Sequence, residues 1–116
     1  MTLKIPTTVT LSAGSTDRVT LDCTPDLDGS ELVASATVAE VSTSALTIAN
    51  LAGTPNVATV NAATVVVLKE TVAIGKAIQF MVSGGTAGAA YLVLVTLTTD
   101  STPARVLTRD IEIAVV

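Results

Sequence analysis

Short runs of β-branched residues, each closed by a turn signal, are the feature of this sequence that most restricts its fold. Val, Thr and Ile recur in these runs, and Gly, Pro, Asn, Asp and Ser separate one run from the next. β-Branched side chains favour strands, and the separating residues favour tight turns. The sequence therefore predicts an all-β fold.

Strict alternation of apolar residues gives several predicted strands an inward face. The first two strands, residues 7–11 and 17–23, are expected to pair as a hairpin around Gly14. The inward face of that hairpin would carry Val9, Leu11, Val19 and Leu21. Further strands are predicted at residues 31–40, 44–51, 57–60, 63–72, 76–82, 90–99 and 105–116.

Three of these strands show the alternation in detail. Residues 76–82 place Ile78, Phe80 and Val82 on one face. In residues 31–40, one face would carry Leu32, Ala34, Ala36 and Val38, and the other Val33, Ser35, Thr37 and Ala39. The last strand alternates Ile111, Ile113 and Val115 with Asp110, Glu112 and Ala114, which predicts a polar outer face.

About seven to nine short antiparallel strands in one chain of this length fit an immunoglobulin-like β-sandwich, here a single domain over residues 1–116. Tyr91 supports this fold. It lies just inside the penultimate strand after a tight loop, where sandwich domains often place a tyrosine whose hydroxyl ties down the preceding corner. We therefore expect Tyr91 to be buried, with its hydroxyl bonded to backbone within residues 83–88.

The glycine-rich segment that precedes Tyr91 contains Ser83, Gly84, Gly85 and Gly88. A phosphate-binding loop would need a suitably placed lysine or a G-x-G-x-x-G spacing, followed by a helix whose N-terminus holds the anion. The segment has neither feature and is followed by a predicted strand. It is interpreted as a turn between two strands, and a partner-binding loop at one end of the sandwich is the alternative.

The balance of charged and apolar residues points to protein contacts. Hydrophobic residues make up 49% of the chain and charged residues 14%, against roughly 25% charged residues in an ordinary soluble domain. Such a surface is poorly protected against association, so we expect copies of the protein or other partners to cover much of it. Val65, Val66 and Val67 form a candidate contact strand, because a β-branched run guarded only by Lys69 and Glu70 would otherwise be an exposed edge. Burial of these valines in the core is the alternative.

Composition disfavours several other functions. The net charge is −4 and the six basic residues are scattered, which disfavours nucleic-acid binding. Tyr91 and Phe80 are the only aromatic residues, so bases and sugars lack stacking partners. The long uncharged stretches 41–68 and 77–99 are interrupted by polar and turn-forming residues, which argues against membrane helices.

The residues needed for common catalytic mechanisms are missing from the sequence. There is no histidine, which is the commonest general base and metal ligand. The serines lack a nucleophile-elbow motif. Cys23 is the single cysteine, so no internal disulfide can form, and we expect it to be a buried apolar residue of a protein that matures in a reducing compartment. We predict a protein that is not an enzyme and that has no cofactor.

An acidic group around Gly29 raises the question of a bound cation. It consists of Asp22, Asp26, Asp28 and Glu31. Carboxylate oxygens close together in sequence suit a hard cation such as Ca²⁺, but the spacing differs from that of an EF-hand loop. We expect a solvated turn, and a cation site is the alternative.

The C-terminal third carries a recognisable order of a strand, a glycine-rich turn, a tyrosine, a threonine-rich strand and a last strand. The residues that define it are Ser83, Gly84, Gly85, Thr86, Ala87, Gly88, Tyr91, Thr96, Thr98 and Thr99. In this order residues 80–116 resemble the ending of a family of small virion proteins of tailed bacteriophages, of the fibre-tail adaptor or small structural type.

This resemblance implies an immunoglobulin-like or similar sandwich in a non-enzymatic virion component. Its role would be capsid decoration or that of a head, tail or fibre adaptor, assembled in the host bacterial cytoplasm. The implied partners are copies of the protein itself and other virion proteins, namely capsid, neck, tail or fibre subunits. A β-sandwich adhesin or an interaction module from another context is the alternative.

Overall fold

The computed structural model of the protein describes residues 8–42, 45–67 and 69–116, and in these ranges the regular structure is all β apart from one 3₁₀ turn. The all-β prediction is confirmed. Residues 1–7, 43, 44 and 68 lie outside the described ranges, and they include the first residues of the predicted strands 7–11 and 44–51 and one residue of 63–72. Within the described ranges, no helix has the length and apolar character needed to cross a bilayer.

The strands are β1 (Thr8–Leu11), β2 (Thr16–Asp22), β3 (Val33–Glu40), β4 (Leu46–Ala49), β5 (Val57–Val60), β6 (Val65–Val67), β7 (Glu70–Val72), β8 (Ala77–Gly84), β9 (Ala90–Thr99) and β10 (Val106–Val115), with the 3₁₀ turn at Thr24–Asp26. Eight of them form one nearly barrel-shaped sheet in the order β1-β10-β9-β3-β5-β8-β2, and β4 also pairs with β8. Only β1 and β10 pair in parallel among the strand pairs described. Strands β6 and β7 form a separate hairpin.

Strand β5 connects the two parts of this sheet. Its first half, Val57 and Ala58, pairs with β3, and its second half, Thr59 and Val60, pairs with β8. The hydrogen bonds of β5 therefore join two groups of strands into one continuous sheet. One group is β1, β10, β9 and β3, and the other is β2, β8 and β4.

The predicted hairpin between the first two strands is wrong. Strand β1 pairs in parallel with β10, from Thr8 beside Glu112 to Leu11 beside Val115, while β2 pairs with β8. A hydrogen bond from the Val116 N–H to the Leu11 carbonyl extends the pairing of β1 with β10. Alternation determines which side chains face inward but not which strand lies alongside, so the same pattern fits both pairings.

The predicted inward faces form the core. Leu11, Val19 and Leu21 are buried, and Val9 packs against them partly buried. Ile78, Phe80 and Val82 of β8 and Ile111, Ile113 and Val115 of β10 are also buried, and the alternate residues of β10 point outward as predicted. Burying such side chains contributes roughly 1.5–3 kcal/mol each to folding.

Strand β3 departs from the predicted alternation at its start. The register shifts between Val33 and Ser35, so Val33 and Ala36 are both buried while Ala34 is exposed. A bulge of this kind changes which face the following side chains occupy. The predicted alternation holds only from Ala36 onward.

The β6–β7 hairpin has its own small apolar cluster of Val65, Val67, Val72 and Ala77. Asn61 ties its base together, since its amide nitrogen donates to the carbonyls of Ala63 and Ala73 at 2.9 and 3.0 Å. Of the candidate contact strand, Val67 is buried, Val65 is partly buried and Val66 is 68% exposed. The predicted continuous strand 63–72 is therefore two strands, and the core alternative is correct for Val67.

Candidate functional site

The outer side of β10, β9 and β3 forms a continuous, weakly charged surface that we name the β9 face. Its central row consists of Thr108, Thr96 and Thr37, which the register places side by side on the three strands. The row on one side consists of Val106, Thr98 and Ser35, and the row on the other side consists of Asp110, Leu94 and Ala39. Side chains of the same parity share a face, so alternation along each strand places these residues on one surface.

Apolar and acidic residues complete the β9 face. Leu92 is 43% exposed beside Glu112, and Val106 is 64% exposed at the opposite corner. Asp110 and Glu112 supply the negative charge of this face. The surface therefore combines exposed apolar side chains, hydroxyl groups and two carboxylates on one strand.

A second surface, the outer side of β2, β8 and β4, is named the β8 face. One row consists of Arg18, Met81 and Ala49, and a neighbouring row consists of Thr16, Ser83 and Thr47. Gln79 and Thr20 form the next row, where the Gln79 amide donates to the Thr20 hydroxyl at 3.1 Å. Arg18 is exposed, so the β8 face carries a cation where the β9 face carries acids.

The glycine-rich segment connects β8 to β9 as a tight turn, as predicted. Tyr91 is 6% exposed, and its hydroxyl accepts a hydrogen bond from the Thr86 N–H at 2.8 Å. The turn is also tied to the end of β10, because the Gly88 N–H donates to the Val115 carbonyl at 2.8 Å. The expected burial of Tyr91 and its bond within residues 83–88 are thus both present.

The first two glycines of this turn are required by the backbone. Gly84 and Gly85 have φ angles of 90° and 80°, a region that favours glycine. A Cβ at Gly85 would lie 2.9 Å from Cε2 of Tyr91, and one at Gly84 would lie 2.8 Å from the Ala45 carbonyl oxygen. The glycines therefore serve chain geometry and close packing.

The acidic group lies at the other end of β9, and the prediction of a solvated turn is wrong for three of its four members. Asp22, Asp26 and Glu31 are 3%, 1% and 7% exposed, and only Asp28 projects into solvent. The Asp22 carboxylate accepts a hydrogen bond from the Thr24 N–H at 2.9 Å. Buried carboxylates need partners. Two arginines pair with Glu31 and with Oδ1 of Asp26, while Oδ2 of Asp26 is buried without a hydrogen-bond partner among the described residues.

Arg109 and Arg105 form ion pairs with this acidic group. Arg109 Nη2 lies 3.1 Å from Oδ1 of Asp26. Arg105 binds Glu31 with two nitrogens, one of them Nε at 3.1 Å from Oε2, and Nη2 also donates to the Asp26 carbonyl. This forked contact matches the planar guanidinium to a carboxylate. The pairs close the end of the core between β10 and the segment that follows β2.

The alternation of β10 contains a signal for these pairs that sequence reasoning missed. Arg105 and Arg109 share parity with Ile111 and Ile113, so continuing the inward alternation of β10 backward places both arginines on the inner side. A charged residue at an inward position implies a buried opposite charge. Alternation alone does not identify which acids provide it.

The surroundings of Glu31 and Cys23 at this end of the sheet shift the pKa values of both side chains. The Arg105 guanidinium that hydrogen-bonds Glu31, helped by the Asp28 N–H, holds the pKa of the Glu31 carboxyl well below its usual range. Cys23 is fully buried, as predicted. Its burial, with Asp22 and Asp26 nearby, raises the pKa of the thiol to about 12. The thiol therefore stays protonated at neutral pH, and the thiolate that a nucleophile requires is not formed.

A cavity of about 690 Å³ opens at the same end, between the Asp28–Glu31 segment and the loop around Asp100. Several of its polar groups already have partners. The Asp100 carboxylate accepts from the Leu32 N–H at 2.8 Å, and Arg105 is held by Glu31. Within residues 8–42, 45–67 and 69–116, no group of three or more metal-ligating side chains is positioned to hold an ion.

No family model, curated protein or solved structure matches this chain. Relatives thus contribute nothing to the functional assignment. The resemblance of the C-terminal third to phage virion proteins stays a prediction, and the geometry of the chain's own residues has to support any function.

Proposed function

We propose that this protein is a non-enzymatic structural component of a tailed-bacteriophage virion that acts through protein–protein contacts. Its role would be to decorate or stabilise the capsid, or to serve as a head, tail or fibre adaptor. The observation that carries the proposal is the β9 face, a broad sheet surface of threonines with exposed Leu92 and Val106.

The composition of that face is suited to a protein interface. Interface centres are depleted of charge, and the centre of the β9 face is a row of uncharged threonines with exposed apolar residues at two corners. The three aligned threonines Thr108, Thr96 and Thr37 add hydroxyls that donate and accept hydrogen bonds across a contact. The charges of the face are confined to β10, at Asp110 and Glu112, so most of it can be buried without removing a charge from water.

An immunoglobulin-like sandwich is the finer fold that we propose for this module. The grouping of β10, β9 and β3 on one side and of β2, β8 and β4 on the other agrees with two packed layers. The Tyr91 hydroxyl bond to the preceding turn also agrees with it. Strand β5, which pairs with both groups, is the feature that makes the sheet continuous.

Purified particles test the functional proposal. The protein would be quantified by gel densitometry in virions purified by density gradient, with the major capsid protein as the internal standard. We expect the protein in the particles, where many copies per particle indicate capsid decoration and few copies indicate an adaptor. A protein found only in the cell lysate or at the cell surface would contradict the virion role and favour an adhesin or another interaction module.

A further inference from the structure

The two outer faces of the sheet carry matching rows with opposite charge. On the β9 face, Asp110, Leu94 and Ala39 lie side by side, and on the β8 face the row is Arg18, Met81 and Ala49. Each row runs from a charged residue through a long apolar residue to an alanine on three adjacent strands. A row of threonines lies beside the first of them, and the row of Thr16, Ser83 and Thr47 lies beside the second.

The outer charges of the two faces form no ion pair with one another or with any other residue that the structure describes. Asp110, Glu112 and Arg18 are all exposed, and among the ion pairs of the described residues none involves any of the three. The arginines that neutralise the buried acids lie at the inward positions 105 and 109 of the same region. As far as the described residues go, these outer charges can therefore meet an opposite charge on another molecule.

We infer that copies of this protein bind one another head to tail, with the β9 face of one copy against the β8 face of the next. In this contact Arg18 of one copy lies opposite Asp110 and Glu112 of its neighbour, and Met81 packs near Leu94. The inference rests on the proposed function, because it names a second copy of this chain as a partner of the β9 face.

The charge pattern favours this arrangement over a two-fold dimer. A two-fold contact uses the same patch on both copies, so a dimer through the β9 face would place two acidic patches in one interface, and the rows of that face offer no basic residue to pair with Asp110 and Glu112. A dimer through the β8 face would place two copies of Arg18 in one interface, and its rows offer no acid. Like charges in one interface cost free energy and suppress that pairing, whereas the head-to-tail contact pairs opposite charges. Repeated contacts of this kind build a ring or an open stack.

Sedimentation velocity of the full chain over a range of concentrations tests the inference. The wild-type protein should self-associate, and raising the salt concentration should weaken the association because exposed charges are screened. Arg18→Glu and the double variant Asp110→Lys/Glu112→Lys should each weaken association by about tenfold or more. Lys69→Glu, which makes the same charge change at the exposed tip of the β6–β7 hairpin, should associate like the wild type.

A mixture of the Arg18→Glu and Asp110→Lys/Glu112→Lys variants tests directly whether the two faces bind each other. The Arg18→Glu copy offers an acidic β8 face and the Asp110→Lys/Glu112→Lys copy offers a basic β9 face, so the mixture should associate more strongly than either variant alone. Circular dichroism should show that all variants are folded. A wild-type protein that stays monomeric, an Arg18→Glu variant that associates normally, or a mixture that stays monomeric would overturn the inference.

The outcomes separate this inference from the proposed function. Particles that contain the protein, together with a purified protein that stays monomeric, would overturn head-to-tail binding and leave the virion role intact. A protein that self-associates but is missing from particles would contradict the virion role and leave head-to-tail binding intact.

Discussion

The two ends of β9 are held together by different kinds of contact. At the Ala90 end, the Tyr91 hydroxyl bonds to Thr86, five residues earlier in the chain. At the Thr99 end, Arg109 pairs with Asp26, 83 residues away, and Arg105 pairs with Glu31, 74 residues away. The tyrosine end therefore depends on turn geometry encoded in one short segment, and the arginine end depends on charges that meet only after the sheet has formed.

The largest expected effect is at the arginine end. Replacing Arg109 with methionine leaves the Asp26 carboxylate, which is 1% exposed, without its ion-pair partner. Removing one partner of a buried pair typically costs 3–5 kcal/mol, so we expect a loss of about that size in urea unfolding. Arg109→Lys keeps the charge and should lose less. The double variant Asp26→Leu/Arg109→Met should recover part of the loss, and a cycle without coupling would contradict a paired Asp26.

A somewhat smaller effect is expected at the tyrosine end, from Gly85→Ala. The φ angle of 80° costs a non-glycine residue about 1–2 kcal/mol. The added methyl group would also lie 2.9 Å from Tyr91 Cε2, and such overpacking costs about 1–3 kcal/mol. Gly88→Ala is a matched control, because Gly88 has a φ of 88° and no atom within 4 Å of the added Cβ. Equal melting temperatures for the two variants would show that close packing against Tyr91 does not constrain this turn.

The pH dependence of stability should come from the arginine end. The pKa of Glu31 is lowered in the folded state by Arg105, so its stabilising contribution is complete above the unfolded pKa of about 4.3, begins to fall there and is lost as the pH falls through the lower pKa of the folded state. Urea unfolding between pH 7 and pH 3 should show decreasing stability below about pH 5. The Arg105→Gln variant should be less stable at pH 7 and should lose less on acidification. Parallel pH curves for the two proteins would argue against the pair as the cause.

The smallest expected effect is that of Tyr91→Phe. The substitution removes one hydrogen bond, that of the Thr86 N–H, and leaves the buried ring in place. A hydrogen bond of this kind contributes about 0.5–1.5 kcal/mol, so the melting temperature should fall by a few degrees while folding persists. An unchanged melting temperature would indicate that water replaces the hydroxyl at no cost.

Sequence reasoning succeeded where the information is local. The turn at residues 83–88 with its bond to Tyr91, the inward faces of β8 and β10 and the burial of Cys23 all follow from neighbouring residues. It failed where a strand or side chain contacts a residue that is distant in the sequence. The pairing of β1 with β10, the bulge at Val33 and the burial of Asp26 and Glu31 each depend on contacts with distant strands.

The covered contact surface stays a prediction, and the structure favours a different place for it than residues 65–67. The low charge content predicts a covered surface, and the β-branched run at residues 65–67 predicts a contact strand there. In the structure only Val66 of that run is exposed, since β6 pairs with β7 and Val67 packs inward. The β9 face could not be predicted from the sequence, because it depends on the strand register that places Thr108, Thr96 and Thr37 side by side.

Incorporation into particles tests most directly the claim that the β9 face is a contact surface. Thr108→Arg places a long charged side chain in the central row of that face, and Thr54→Arg makes the same change at an exposed turn position between β4 and β5. Both variants would be produced during infection in the absence of the wild-type protein, and their amount in purified particles compared by quantitative mass spectrometry. We expect equal urea unfolding for both variants, wild-type incorporation for Thr54→Arg and a loss of about tenfold or more for Thr108→Arg. Thr108→Arg present in particles at the wild-type level would contradict the claim.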